Sequence, residues 1–349
     1  MRGQKPYVVG GIENPAIKLN QNESPYDLPS EIKREVLEAI AKIPFNRYPL
    51  EQPARLMRAF ADFVGHDPEG VLVGNGSNEL TFTLALAMVE HGTPVVLPRP
   101  MFTLYETAIR LHGGDLTSIP PRANLSFDTE AILAAVEEKR PALTVLTTPN
   151  NPTGLAMPLH EVEAIVGASP GFVVVDEAYV EFADEESAFS LLGEYPNLII
   201  LRTLSKAWGL AGLRLGFLLA HPAVTKEILK ARLPFMIDPI AETTALTLMR
   251  HRGLLDERAR MLKAASRALT VELQAIKGVE VIPSQSNFVL FRTGLEPALL
   301  MSRLAESGVL VRNVGGYPEL RGYLRVNAGT EAENNAFLVA LKHALLSHR

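Results

Sequence analysis

Phe172-Val173-Val174-Val175-Asp176-Glu177-Ala178-Tyr179, residues 172–179, is the stretch on which the fold turns. An aromatic residue and three valines run without polar alternation into two acids. A strand buried on both faces reads this way. The pattern recurs at Val71-Leu72-Val73, Val95-Val96-Leu97, Leu143-Thr144-Val145-Leu146 and Leu198-Ile199-Ile200-Leu201. Helical patterns at 78–90, 102–112, 128–139 and 159–167 fall between most of these runs. Strand–helix repetition predicts an α/β fold, with a mostly parallel sheet covered by helices on both sides.

Outward from this centre, residues 1–29 read as an extended arm broken by Gly10-Gly11, Asn14-Pro15 and Ser24-Pro25. A helix is expected over 30–43, with Ser30 as its cap and Ile32, Val36, Leu37 and Ile40 as its apolar stripe. Pro44-Phe45-Asn46-Arg47-Tyr48-Pro49 must be a loop. A long charged helix from Leu254 to Ala275 leads into Val279–Ile282, Phe288–Phe291, a helix over 296–307, Val309–Val311, Tyr323–Val326 and a last helix over 331–346. This second pattern predicts a smaller α+β domain. The expected division is arm 1–29, large domain 30–252 and small domain 253–349, the small domain packed with the arm.

The 349 residues carry a net charge of -5, 47% hydrophobic and 21% charged residues and no cysteine. That composition suits a packed globular chain and not a disordered one. It disfavours a nucleic-acid partner and removes disulfides and thiolate chemistry. No apolar run reaches membrane-spanning length, and the first residues lack the apolar core of a secretory signal. The expected location is cytoplasmic, with no membrane partner. The eight histidines show no metal-ligand spacing, so no metal is expected.

Open α/β sheets bind ligands beyond the carboxyl ends of their strands, so the residues after each apolar run carry the chemistry. Gly74-Asn75-Gly76-Ser77-Asn78-Glu79 reads either as a Gly-rich turn with a helix cap or as an anion cradle. Thr147-Thr148-Pro149-Asn150-Asn151-Pro152-Thr153-Gly154 is a turn with two consecutive asparagines. Asp176 is either an exposed strand end or an acid held against a protonated ring nitrogen. If the strand continues, Asp176 and Ala178 face the same way. Lys206, in Arg202-Thr203-Leu204-Ser205-Lys206, is either a snorkelling lysine or a desolvated amine able to form an imine with an aldehyde. Asp176 and Lys206 stand about one βα unit (~30 residues) apart.

In this order the strings resemble fold-type I pyridoxal-phosphate (PLP) aminotransferases, and among them the histidinol-phosphate aminotransferase family. The resemblance is carried by Leu19-Asn20-Gln21-Asn22-Glu23-Ser24-Pro25, Asn46-Arg47-Tyr48-Pro49, Pro149–Gly154, Asp176-Glu177-Ala178-Tyr179-Val180-Glu181-Phe182, Arg202–Ala207 and Leu210-Ala211-Gly212-Leu213-Arg214. It runs from about Tyr7 to the C-terminus. It implies PLP as cofactor, with Lys206 as the imine-forming acid and base, and Asp176 on the pyridinium nitrogen. Tyr179 and Asn151 would bond the ring oxygen. Gly76, Ser77, Asn78, Ser205 and Arg214, supported by Thr203, would hold the cofactor phosphate. Phe102 would stack on the ring opposite Ala178, and Tyr48 would reach the neighbouring subunit's cofactor in a homodimer.

Tyr7, Asn22, Arg312 and Arg325 are the implied substrate residues, the two arginines binding the substrate's phosphate. Arg312 also reads simply as a solvated strand end. Phe102 stands where this family often has Tyr, Asn78 where an acid is frequent and Trp208 where Phe is usual; Trp208 reads as packing. The implied reaction is transamination of L-histidinol phosphate with 2-oxoglutarate. An aromatic or broad-specificity aminotransferase, a PLP-dependent threonine-phosphate decarboxylase and a silent PLP-binding regulator are the alternatives. The regulator would call for an attached DNA-binding module, and none is read before the arm.

Overall fold

The computed structural model describes residues 16–346. Its elements are, in chain order, β1 (Ile17–Lys18), α1 (Ser30–Ile40), α2 (Ala54–Val64), β2 (Val71–Asn75), α3 (Ser77–Met88), β3 (Pro94–Pro98), α4 (Leu104–Leu111) and β4 (Asp115–Ile119). They continue with α5 (Thr129–Lys139), β5 (Leu143–Thr147), α6 (Leu159–Ala168), β6 (Phe172–Asp176), β7 (Leu198–Thr203), β8 (Leu215–Ala220), α7 (Pro222–Leu229) and α8 (Pro239–Met249). The last are α9 (Arg252–Gln274), β9 (Val279–Ile282), β10 (Phe288–Thr293), α10 (Pro297–Glu306), β11 (Val309–Leu310), β12 (Arg312–Asn313), β13 (Tyr323–Asn327) and α11 (Glu331–Leu346).

Seven strands form the large sheet in the order β2-β8-β7-β6-β5-β3-β4. All pairings are parallel except those of β8, which runs against both β2 and β7. The continuous apolar runs have a simple cause. Along β6, Val173 and Val175 point into one core with Phe60, Ile165 and Leu248, while Val174 points into the other with Leu80, Tyr105 and Ile228. Successive side chains alternate faces, and both faces are covered. On one face Phe60 and Phe217 stack with ring centroids 3.4 Å apart.

Two strands depart from the sequence reading. Asp115-Leu116-Thr117-Ser118-Ile119 is an edge strand, and its polar side chains hide it from an apolar search. Leu215–Ala220 is wholly buried and follows directly on the glycine-rich stretch, where it was not separated out. The caps also differ in detail. Ser30 opens α1 as its first residue behind Pro29 and makes no capping bond, whereas α8 is capped by Asp238, which accepts from the Ile240 and Ala241 N–H groups ahead of Pro239 at N1.

The second sheet, β12-β13-β10-β9, is antiparallel. Of Val309–Val311, expected as one strand, only Val309–Leu310 is strand; Val311 separates it from β12, which lies beyond the expected run. β11 pairs in parallel with β1 of the arm, and β12 pairs with β13. Helix α9 connects the two cores: Leu255 and Leu262 pack into the large one, Leu269 and Leu273 into the small one. Its charge-rich face is not wholly solvated, because Arg258 is buried and donates to the Asp27 carbonyl. Among the described residues no helix is long and apolar enough to cross a membrane.

Candidate active site

The carboxyl ends of β2, β3, β5, β6 and β7 share one edge of the sheet, and β8 starts there because it runs in the opposite sense. That reversal places Arg214, one residue before β8, beside the Gly76 turn that opens α3. Gly76 has φ +77°, and a Cβ there would lie 2.5 Å from Arg214 Nη2. Gly216 is equally tight, since a Cβ would stand 2.3 Å from the Ser77 N–H nitrogen. The first N–H groups of α3 and the Arg214 guanidinium therefore converge. Two positive ends facing each other are favourable when an anion lies between them. Ser205 accepts from Arg214 at 3.4 Å, and Thr203 Oγ1 accepts the Ser205 N–H at 3.1 Å.

Asp176 ends β6. Its Oδ2 accepts from the Tyr105 hydroxyl at 2.8 Å and its Oδ1 from the Ala178 N–H at 3.0 Å. Burial pushes its pKa up from the usual carboxylate value, against the lowering effect of these two donors. The strand does not continue to Ala178, as the sequence reading allowed. The chain turns after Asp176, and the turn is closed by that same Ala178 N–H.

Lys206 lies beyond β7, with Nζ 3.1 Å from the Gln21 carbonyl of the arm and 5.8 Å from the Tyr179 ring centre. Burial first, then the nearby positive charge of Arg325, brings its pKa down to about 8; Glu23 opposes the fall and Arg214 adds to it. Tyr179 accepts from Asn22 Nδ2 at 2.9 Å through its hydroxyl oxygen. Asn151 Oδ1 accepts from Arg325 Nη1 at 2.5 Å, and Arg325 Nη2 donates to the Asn20 carbonyl at 3.0 Å. Arg312 stands directly opposite Arg325 in the β12–β13 ladder.

The model for aminotransferase class I and II matches residues 14–341. Histidinol-phosphate aminotransferase of Prosthecochloris aestuarii is 42% identical over 335 residues, spanning 96% of this chain and 94% of that one. The chain belongs to the histidinol-phosphate aminotransferase family, within the class I and II aminotransferases. The Chlorobaculum parvum member of that family is also 42% identical, over 96% of this chain and 94% of its own. The crystal structure of histidinol-phosphate aminotransferase from Sinorhizobium meliloti in complex with pyridoxal-5'-phosphate is similar with a TM-score of 0.87 at 27% identity. It covers 96% of this chain and 92% of that one.

Against the residues expected of a histidinol-phosphate aminotransferase, the fold gathers Lys206, Tyr179, Asn151, Asn22 and Arg325 by direct contact, and Gly76, Ser77, Ser205, Thr203 and Arg214 as a second cluster. Asn78 lies in the first turn of α3, and Phe102 follows β3 at the same sheet edge. Arg312 joins through its register with Arg325. Tyr48 is not part of the gathering. It is 84% exposed and stacks on Phe235, centroids 5.0 Å apart. Tyr7 lies outside the described residues. Trp208 is buried against the Phe63 ring, a packing role as expected. The sequence reading missed Tyr105, whose signal is its place one helical turn beyond Phe102. It also missed the Asn20 and Gln21 carbonyls, which have no side-chain signature. Among the described residues no group of His, Asp or Glu is placed to hold a metal.

Proposed function

We propose that this aminotransferase uses pyridoxal 5′-phosphate to exchange the amino group of L-histidinol phosphate with 2-oxoglutarate, giving imidazole acetol phosphate and glutamate. The residues fit the cofactor on the chain's own geometry. The Gly76–Ser77 cradle leaves no room for a side chain beside Arg214, which suits a phosphate held by backbone donors and a guanidinium. When bound, the cofactor supplies an aldehyde to take the amino group and a protonated ring to draw electrons from the reacting carbon.

The chain does the rest. Lys206 is the residue that would hold the cofactor aldehyde, and its Nζ is the group that would carry the transferred proton. Its lowered pKa keeps a usable share of free amine near neutral pH. Asp176 holds the ring proton, while Tyr179 and Asn151 donate to the ring oxygen. The Tyr179 oxygen also accepts from Asn22, and Asn151 Oδ1 accepts from Arg325, so each side chain is held from its acceptor side. Asn78 and Ser205, with Thr203 behind them, would complete the phosphate shell, and Phe102 and Ala178 would hold the ring between them. The small domain and the arm, divided at 1–29, 30–252 and 253–349, close over this cleft and exclude water.

The observation that carries the choice of substrate is the Arg312–Arg325 pair. Residues directly opposite in an antiparallel ladder share one face of the sheet, so this register sets two arginines on the same face. A substrate phosphate there would accept from both guanidinium groups. Asn22, and Tyr7 of the arm, complete the substrate end. The working unit is a homodimer, in which Tyr48 reaches the partner's cofactor phosphate, and the location is the cytoplasm. Comparing kcat/KM for histidinol phosphate, phenylalanine and threonine phosphate tests the reading. Histidinol phosphate is expected to lead by at least about tenfold, and parity with either competitor overturns it.

A further inference from the structure

Asp176 needs orienting. The last torsion of an aspartate is soft, and a carboxylate that turns away cannot keep a ring proton in line. Two donors hold this one. The Ala178 N–H takes Oδ1 from the same turn, and the Tyr105 hydroxyl takes Oδ2 from α4, 71 residues away in sequence. We propose that Tyr105 is a positioning residue, whose hydroxyl fixes the Asp176 carboxylate so that its remaining lone pairs meet the ring nitrogen of the cofactor. This rests on the pyridoxal-phosphate reading above and deepens it.

The donor is itself immobile. Tyr105 is 3% exposed and packed among Leu80, Leu97 and Ile109. Desolvation, with the Asp176 charge beside it, holds its phenol well above the ordinary range, so it stays protonated and able to donate. Tyr105 also shares its apolar cluster with Leu80 and Leu84 of α3. The contact thus links the ring-nitrogen end of the cleft to the helix whose N-terminus forms the phosphate cradle. The groups acting on Asp176 are Tyr105 and the Ala178 N–H, which favour its ionised form, and the neighbouring Glu177 charge, which opposes it.

A double-mutant cycle on cofactor affinity decides the matter. Pyridoxal phosphate dissociation constants would be measured by equilibrium dialysis for the wild type, Tyr105→Phe, Asp176→Ala and the double variant. Tyr105→Phe is expected to weaken binding roughly 3–10-fold in the wild-type background and less than about twofold beside Asp176→Ala. The pH midpoint of the bound cofactor's absorption band is expected to move in Tyr105→Phe, which a packing role would not cause. Equal losses in both backgrounds, wild-type affinity in Tyr105→Phe, or an unmoved midpoint overturns the inference. Failure of wild-type protein to bind pyridoxal phosphate at all would instead sink the reading beneath it.

Discussion

A lysine that has lost its water is a better nucleophile at neutral pH than one on the surface. With a pKa of about 8, about a quarter of Lys206 is free amine at pH 7.5, against about one part in a thousand at the ordinary value. Glu181, in the turn after Tyr179, shows the same force acting on an acid. Burial pushes its carboxyl up to about 7, against the attraction of Arg202, and its Oε2 is buried without a hydrogen-bond partner among the described residues. Between pH 4.5 and 7 the unfolded chain has released a proton that the folded chain still holds. Stability therefore falls as pH rises through that window and stays lower above it. Glu181→Gln removes the charge. It is expected to raise the melting temperature by roughly 2–6 °C at pH 8 and by much less at pH 5. Thermal melts at the two pH values check this, and an equal gain at both excludes desolvation of Glu181 as the cause.

At the scale of elements, the antiparallel pairing of β2 with β8 makes the anion cradle. Gly74 and Gly216 are partners in that antiparallel ladder, and the backbone of Gly76 and Ser77 presses on Gly216. Gly216→Ala must push the start of α3 away from Arg214. It is expected to weaken pyridoxal phosphate binding at least about tenfold, as read by dialysis, while Gly193→Ala, in open space, stays within about twofold. Such elements were unequally legible. β5, β6 and β7 declared themselves because both their faces are apolar and buried. β4 did not, since an edge strand tolerates Asp115, Thr117 and Ser118. Lys206 and Asp176 stand out in the sequence because each follows an apolar strand, where chemistry gathers, and Arg214 stands out only through the family resemblance. The contact of Tyr105 with Asp176 joins α4 to β6 through the tertiary fold, and nothing local encodes it. The Gln21 carbonyl that receives Lys206 is invisible in a sequence, because every residue has one.

The whole molecule brings three parts to one seam. Asn22 of the arm donates to Tyr179 on the large domain, gives its N–H to Asn327 on β13 and accepts from Asn287 beside β10. Arg325 crosses the same seam to Asn151. Tyr48, proposed to reach a cofactor, points outward in the single chain, 84% exposed and stacked on Phe235. In the proposed homodimer a two-fold axis would carry each Tyr48 toward the other subunit's cradle. If so, Tyr48 and Lys206 of one chain serve different sites. Tyr48→Ala and Lys206→Ala homodimers are each expected to be impaired, the first at limiting cofactor and the second outright. When the two are unfolded together and refolded as a mixture, half the dimers are hybrids. Each hybrid holds one site with Lys206 from one chain and Tyr48 from the other. Turnover at limiting pyridoxal phosphate is expected to recover to about one quarter of the wild-type value. A mixture no more active than the mean of its parents would mean that each chain completes its own site.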